Sequence, residues 1–354
     1  MKKPIFILTL ILLISAIGYL FLYPVPIDPE AWTPQTNVGL TDIYQTNDKL
    51  SPIQKMADGQ CPDCEDVAVD SNGIVYGGAI DGRIIEFSAD FKKSRTIANT
   101  GGRPLGMITD NNGTIYVADG VKGLLSVSKN GQVKLLTDSF ENRKICFPDD
   151  LALASDSSIL FTESSKKFQL SQYRLDILEH RPNGNLFRYN LKTGITELLL
   201  DSLYFANGVA VSNDGSYALV NNLAKYEVIK YYLKGEQKGK TEVFVSNLPG
   251  FPDGVNISAD GTVWVSIVSP RNAKLDETLP NPFLRKLFFR LPASATPENR
   301  FTCILGFDAS GKLIHNLQDS KSKFSSITNC VPFHGKLYLG TIAEKGIGVY
   351  DLNR

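Results

Sequence analysis

Four oxygen-bearing side chains stand at one register of a recurring pattern. Glu65, Asp149, Asn207 and Asp253 each lie two places ahead of an apolar residue that opens a short alternating segment: Val67, Leu151, Val209 and Val255. Carboxylates and a carboxamide are hard donors. With no His or Cys at that register, they suit a hard cation such as calcium rather than zinc or copper. Leu105 and Ser325 take the same register in two further copies, ahead of Met107 and Ile327. Three carboxylates aimed at one place repel each other unless positive charge lies between them. The alternative, in which each residue only caps a turn, has to hold four times at one register. The expected cofactor is Ca2+ or another hard divalent cation, with Glu65, Asp149, Asn207 and Asp253 as its ligands.

Convergence of residues so far apart in sequence needs a fold that brings repeats around an axis. VAVDSNGIVYGG (67–78), GMITDNNGTIYVAD (106–119), LALASDSSILFTES (151–164), VAVSNDGSYALVNN (209–222), VNISADGTVWVSI (255–267) and ITNCVPFHGKLYLGT (327–341) share one design. Each is an alternating apolar strand, a polar turn and a second strand. DSNG, DNNG, NDG and ADG tolerate the positive φ of tight hairpins. The copies recur mostly at intervals of about 40 to 60 residues, the period of repeat architectures. Further strands such as GRIIEFS and GNLFRYN lie between them. Four strands in each of six units predict an all-β, six-bladed β-propeller; a pair of β-sandwiches is the competing architecture. In a propeller the six register positions face the central channel at one height. Asp66 and Asp150 directly follow two proposed ligands, and strand alternation points them away from that site. Hydrogen bonds to neighbouring backbone, or a second buried cation, are the roles open to them.

Lys2 and Lys3 precede PIFILTLILLISAIGYLFLY, an uncharged run of about 20 residues, long enough to span a bilayer. Acidic PIDPE follows, so the expected arrangement is a single-pass transmembrane helix with the N-terminus inside and the propeller exported. A cleaved signal peptide, cut near Ala16 or Gly18, is the competing reading. The expected domains are an anchor over 1–25, a lead-in over 26–60 and the propeller over 61–354. Lys+Arg and Asp+Glu both number 37, and that balance argues against a nucleic-acid partner. Five cysteines leave at least one unpaired within the chain. Cys61-Pro-Asp-Cys64 admits a local disulfide, free thiols, a longer-range disulfide or redox and metal chemistry. Two segments, 165–180 and 270–294, interrupt the strands as insertions on one face. The second is expected to be helical over Phe283–Arg290, as a packed surface helix, a pocket lid or an interfacial helix. His180, His315 and His334 are expected at the surface.

CEDVAVD, GRPLGM (102–107), FPDDLALA (147–154), YFANGVAVS (204–212), LPGFPDGV (248–255) and GKLYLGT (335–341) resemble the strictosidine synthase-like family. The likeness is to its adipocyte plasma membrane-associated type, runs from about residue 26 to the end and is specific in its order of motifs. The wider superfamily includes gluconolactonases and paraoxonases, which bind calcium in the channel and hydrolyse lactones or esters. The resemblance implies that Glu65, Asn207 and Asp253 are calcium ligands, with Asp149 where those enzymes usually have Asn. Gly254 replaces a common Asn. Leu105 stands where paraoxonases carry a histidine, which argues against their histidine-assisted mechanism. SSITNC lacks the blade-six glutamate of strictosidine synthase itself, which argues against alkaloid condensation.

The expected function is therefore metal-assisted hydrolysis of a lactone or a carboxylic or aryl ester. Asp253 is the expected general base, or a direct nucleophile, with Asp149 as alternative. No GxSxG elbow is present, which disfavours a serine hydrolase. The alternative from another class is a non-catalytic, calcium-stabilised propeller serving as a binding scaffold.

Overall fold

Each repeat folds as a four-stranded antiparallel meander, and six of them close a ring. The computed structural model describes residues 2–290 and 300–353, with no side chains described for Lys2 and Lys3. The last four residues of the 270–294 insertion lie outside the described residues.

Blade one runs Val67–Val69, Val75–Gly78, Arg83–Phe87 and Ser94–Asn99 from the channel outward. Blades two to five repeat this order, from inner strands Pro104–Thr109, Pro148–Ala154, Ala206–Val211 and Gly250–Ile257. Blade six has inner strand Ile327–Phe333, and its outer strand is Gln54–Met56 from the lead-in, paired with Ile347–Asp351. The N-terminal side of the chain thus closes the ring. Such closure leaves only short edges around the circle.

The apolar residues sit between blades rather than within them. Ala68, Tyr76 and Ile84 of blade one pack with Met107, Val117 and Leu125 of blade two. Trp264, Ile304 and Leu317 of blade five pack with Cys330, Leu337 and Leu339 of blade six. Strands clamped on both faces lose the exposed half of their pattern. Ile115–Asp119 and Ser158–Glu163 are buried along their whole length. Fully buried Phe161 and Phe307 contribute about 1.5–3 kcal/mol each.

The polar turns between first and second strands define one end of the ring. Their glycines Gly73, Gly113, Gly215, Gly261 and Gly335 hold φ between 68° and 87°. The connections between second and third strands lie at the other end, with the starts of the inner strands. Ile80 in such a connection donates its N–H to Pro62 O, and Gly120 donates to Arg103 O. Both insertions fall on this second end, as expected.

Helix α1 is Lys2–Leu22, and its stretch Pro4–Leu22 has mean hydropathy 2.8 with none of it buried in the protein. It is long and apolar enough to cross a membrane. The blade-three insertion carries α2 (Tyr173–Glu179). The blade-five insertion carries α3 (Ala273–Thr278) and α4 (Pro282–Phe289). Asn281 caps α4 by accepting from the N–H groups of Phe283 and Leu284, with Pro282 in the first turn. Arg285 of α4 is wholly buried and donates to the carbonyls of Leu178, Glu179 and Glu30. One guanidinium therefore ties together α4, the end of α2 and the lead-in. Cys61 and Cys64 form a disulfide, and Cys146, Cys303 and Cys330 are free.

Candidate metal centre

Almost every inner strand starts with the same irregularity. Its pairing with the second strand slips between Pro104 and Gly106, Pro148 and Leu151, Ala206 and Val209, Pro252 and Val255, and Ile327 and Cys330. A bulge breaks strict alternation, so two successive side chains can face the same way. The result is a double layer at the mouth of the channel. A small cavity of about 10 Å3 is lined by Glu65, Leu105, Asp149, Asn207, Asp253 and Thr328, one residue from each blade. Asp66, Gly106, Asp150, Gly254 and Asn329, their immediate successors, line it as well.

All four residues expected as ligands are thus brought to one cavity. Two expectations need correction. Ser325 does not hold the blade-six position; Thr328 does. Cys330 pairs with Leu339 just as Val67 pairs with Gly77, so the blade-six register lies three residues later than the alternation of ITNCVPF suggests. Ser325 is buried with its hydroxyl unpartnered. Asp66 and Asp150 also do not point away: both line the cavity beside Glu65 and Asp149, Asp150 within the bulge of its strand and Asp66 just before its strand begins.

Their bonding separates them from the first layer. The two oxygens of Asp66 accept the N–H groups of Val67 and of Met107 in the next blade, both at 2.7 Å. Asp150 does the same with Leu151 and with Val209 in the next blade, both at 2.8 Å. Each carboxylate staples its blade to the following one, satisfying amides that the bulge frees from the ladder. The following blades carry glycine here because no Cβ fits. A Cβ on Gly106 would lie 2.6 Å from Asp150 Cα, and one on Gly208 would lie 2.5 Å from Asp253 O. Gly254 is likewise pressed against Asn329 and Thr328, so the missing Asn side chain has no room there.

The first layer is less satisfied. Burial is the main cause that lifts the carboxyls of Glu65, Asp149 and Asp253 above their usual range. The negative charge of Glu65 raises Asp149 and Asp253 further. Asp66 is pushed up to about 7, again by burial first. Ser164 donates to Asp149, and Asn207 bonds Asp253. Glu65 is paired with Arg103 at 3.2 Å, a residue that reasoning from sequence left without a role. Arg103 is 8% exposed, and its Nη1 has no partner.

The donors fit a hard cation by chemistry: buried carboxylates in mutual repulsion, with an amide among them. Among the described residues, no three acidic, His or Cys side chains are drawn into a ready-made ligand cluster. Arg103 supplies beside Glu65 part of the positive charge a cation would bring. Above the layer, Leu105, Phe147, Phe205 and Phe251 join one apolar cluster with Leu170, Ile177 and Leu275 of the insertions. Phe147, Phe205 and Phe251 stand two places ahead of Asp149, Asn207 and Asp253, giving blades three to five an apolar wall.

His180 is a further correction. It is 2% exposed, stacked on Trp32 at 4.4 Å between ring centroids and tilted against Tyr204 at 4.9 Å. Burial first, then Arg285 and Lys225, press its imidazole down to about 3, so it is neutral. The lead-in folds across the insertion and covers it: Trp32 donates to Leu279 O, and Asp28 N–H donates to Glu179. His315 and His334 are exposed as expected.

Comparison with known proteins agrees with the fold. The strictosidine synthase family profile matches residues 149–236, and the strictosidine synthase-like N-terminal profile matches residues 42–87. The adipocyte plasma membrane-associated protein of Bos taurus is 33% identical, with 96% of this chain and 88% of that protein aligned. Protein strictosidine synthase-like 6 of Arabidopsis thaliana is also 33% identical, over 81% of this chain and 78% of its own. Among solved structures, a gluconolactonase from Xanthomonas campestris superposes with TM-score 0.62 at 15% identity, covering 93% of this chain and 99% of that one. A calcium-binding regucalcin from Agrobacterium tumefaciens gives 0.60 at 12%, covering 83% and 92%. At such identities the two structures speak to the fold.

Proposed function

This chain belongs to the strictosidine synthase-like family, and from that premise we propose that it is a membrane-anchored, calcium-dependent hydrolase of lactones or carboxylic esters. The observation that carries the reading is the gathering of Glu65, Asp149, Asn207 and Asp253 at one cavity, with Asp149 and Asp253 buried, Glu65 half-buried, and all three carboxyls lifted by loss of water. The propeller is exported, with α1 anchoring it and the N-terminus inside.

Calcium held by Glu65, Asp149, Asn207 and Asp253 would offset their repulsion and polarise a substrate carbonyl. Asp253 serves as general base toward water, because its only side-chain restraint is the bond from Asn207. Asp149, tied to Ser164, is the second candidate. Arg103 holds Glu65 in place through Nη2, and its buried Nη1 has no hydrogen-bond partner among the described residues. Leu105 with Phe147, Phe205 and Phe251 receives the apolar part of the ester and excludes water from it. Blade six brings Thr328 and Asn329 and no acid, which disfavours an amine–aldehyde condensation.

The test is hydrolysis of a panel of lactones and aryl esters by the full chain in detergent, with calcium and with EDTA. Turnover that needs calcium supports the reading. No turnover on any substrate, with calcium still raising the melting temperature, favours the scaffold reading. One observation gives that second reading weight: the Glu65–Arg103 pair neutralises part of the site from within.

A further inference from the structure

Helix α4 begins where α1 ends. The Phe283 ring lies 5.6 Å from that of Phe21, in the last turn of α1, and Arg290 donates to the carbonyl of Tyr23. An apolar helix of this length places its last turn at the boundary of the hydrocarbon, so Phe283 sits at the same depth. The buried face of α4 is fixed through Arg285. Phe283 and Leu284, on the other side, are 47% and 41% exposed. Lys286 and Arg290 flank them, the mixture of apolar and basic side chains that suits a headgroup layer.

The exposed apolar residues continue around the ring at the same end. Ile80 of blade one, Val121 of blade two and Ile342 of blade six are 51%, 46% and 43% exposed, and each lies in a connection between second and third strands. Tyr173, 38% exposed, opens α2 in the matching connection of blade three. The opposite end differs. Among the described residues, Ile195 is the one large apolar side chain exposed in its turns. Isolated exposed apolar side chains are ordinary. Five of six blades presenting one at the same end, beside an emerging lipid-spanning helix, is a pattern with a direction.

We propose that the metal-centre end of the propeller lies against the bilayer that holds α1, seated by Phe283 and Leu284 and by the tips at Ile80, Val121, Tyr173 and Ile342. The occupant of this surface is lipid, because the ring contact between α1 and α4 joins it to a segment that itself belongs in lipid. The channel mouth then opens toward the membrane interface. If the hydrolase reading holds, the ester it meets is an amphiphile partitioned into the bilayer; that consequence rests on the reading, and the seating does not.

The experiment reads seating without turnover. In a Cys146→Ser background, the full chain is reconstituted in phosphatidylcholine vesicles with single spin labels at Ile80→Cys, Val121→Cys, Leu284→Cys, Ile342→Cys and, as control, Ile195→Cys. Relaxation by oxygen is compared with relaxation by a water-soluble nickel chelate. The expected result is oxygen exceeding nickel at the first four sites and the reverse at 195. Adding Phe283→Glu should return the labels at 80 and 342 to nickel-dominated relaxation while α1 keeps the protein in the vesicles. Nickel dominating at all five sites would mean a propeller held away from the lipid, and would overturn the proposal. Exclusion of both reagents with strong label–label coupling at 284 would assign the face to a second copy, and would overturn it equally.

Discussion

Glu65 and Asp66 are neighbours, as are Asp149 and Asp150, yet the members of each pair have different employment. Asp66 and Asp150 spend both oxygens on backbone N–H groups of two blades. Glu65, Asp149 and Asp253 face the same cavity with side-chain partners only. A carboxylate saturated by amides is part of the frame, because removing it orphans buried donors. A carboxylate with unspent oxygens in a buried, repulsive group is available to a cation. One step along the chain separates structure from chemistry, and the bulge makes that step possible.

The comparison can be broken at either layer. The largest effect is expected for Asp253→Asn, which removes the proposed base and one ligand while keeping the shape. Ester turnover should fall at least about 100-fold, and the melting temperature without calcium should hold or rise as like charge is relieved. A parallel loss of stability would contradict the division. Asp150→Ala should behave oppositely. It strands the N–H groups of Leu151 and Val209, and denaturant unfolding should register a loss of about 2–4 kcal/mol. Residual calcium binding in the folded fraction should persist.

His180 provides a pH test of the cover over this end. Its folded pKa is depressed to about 3 and its unfolded value is near 6.5, so the unfolded state binds more protons between those limits. Its contribution is complete above about pH 6.5 and drains away as pH falls toward 3. Melting temperatures at pH 7 and pH 4.5 should therefore differ less in His180→Phe than in the parent chain. Equal differences would place the imidazole in water. The smallest effect is expected for Ser325→Ala. The buried hydroxyl has no partner, so stability should change by under about 1 kcal/mol, and calcium affinity should not move. A tenfold loss of affinity would return Ser325 to the channel.

Much of this was legible in the sequence, for identifiable reasons. Turn glycines at one phase of each repeat and the apolar strands around them specify the blades, and four oxygen donors at one register mark the cavity. What strict alternation hides is the bulge. Reading period two through ITNCVPF places Ser325 where Thr328 belongs, and reading it through Glu65-Asp66 turns the second acid outward. Arg103 had a signal: it breaks a column that carries Phe147, Phe205 and Phe251 in three other blades. His180 had none. Its burial depends on Trp32 arriving from a segment some 150 residues earlier, a contact of high sequence separation that no local pattern encodes.

Cation binding is proposed for the first layer and not for the second. The direct measurement is calorimetric titration of calcium into the full chain and its Asp149→Asn and Asp253→Asn variants, each confirmed folded by circular dichroism. The expected result is one saturable site in the parent chain and affinity weaker by about tenfold or more in both variants. No calcium-dependent heat in the parent chain, or equal affinity in all three, would contradict it.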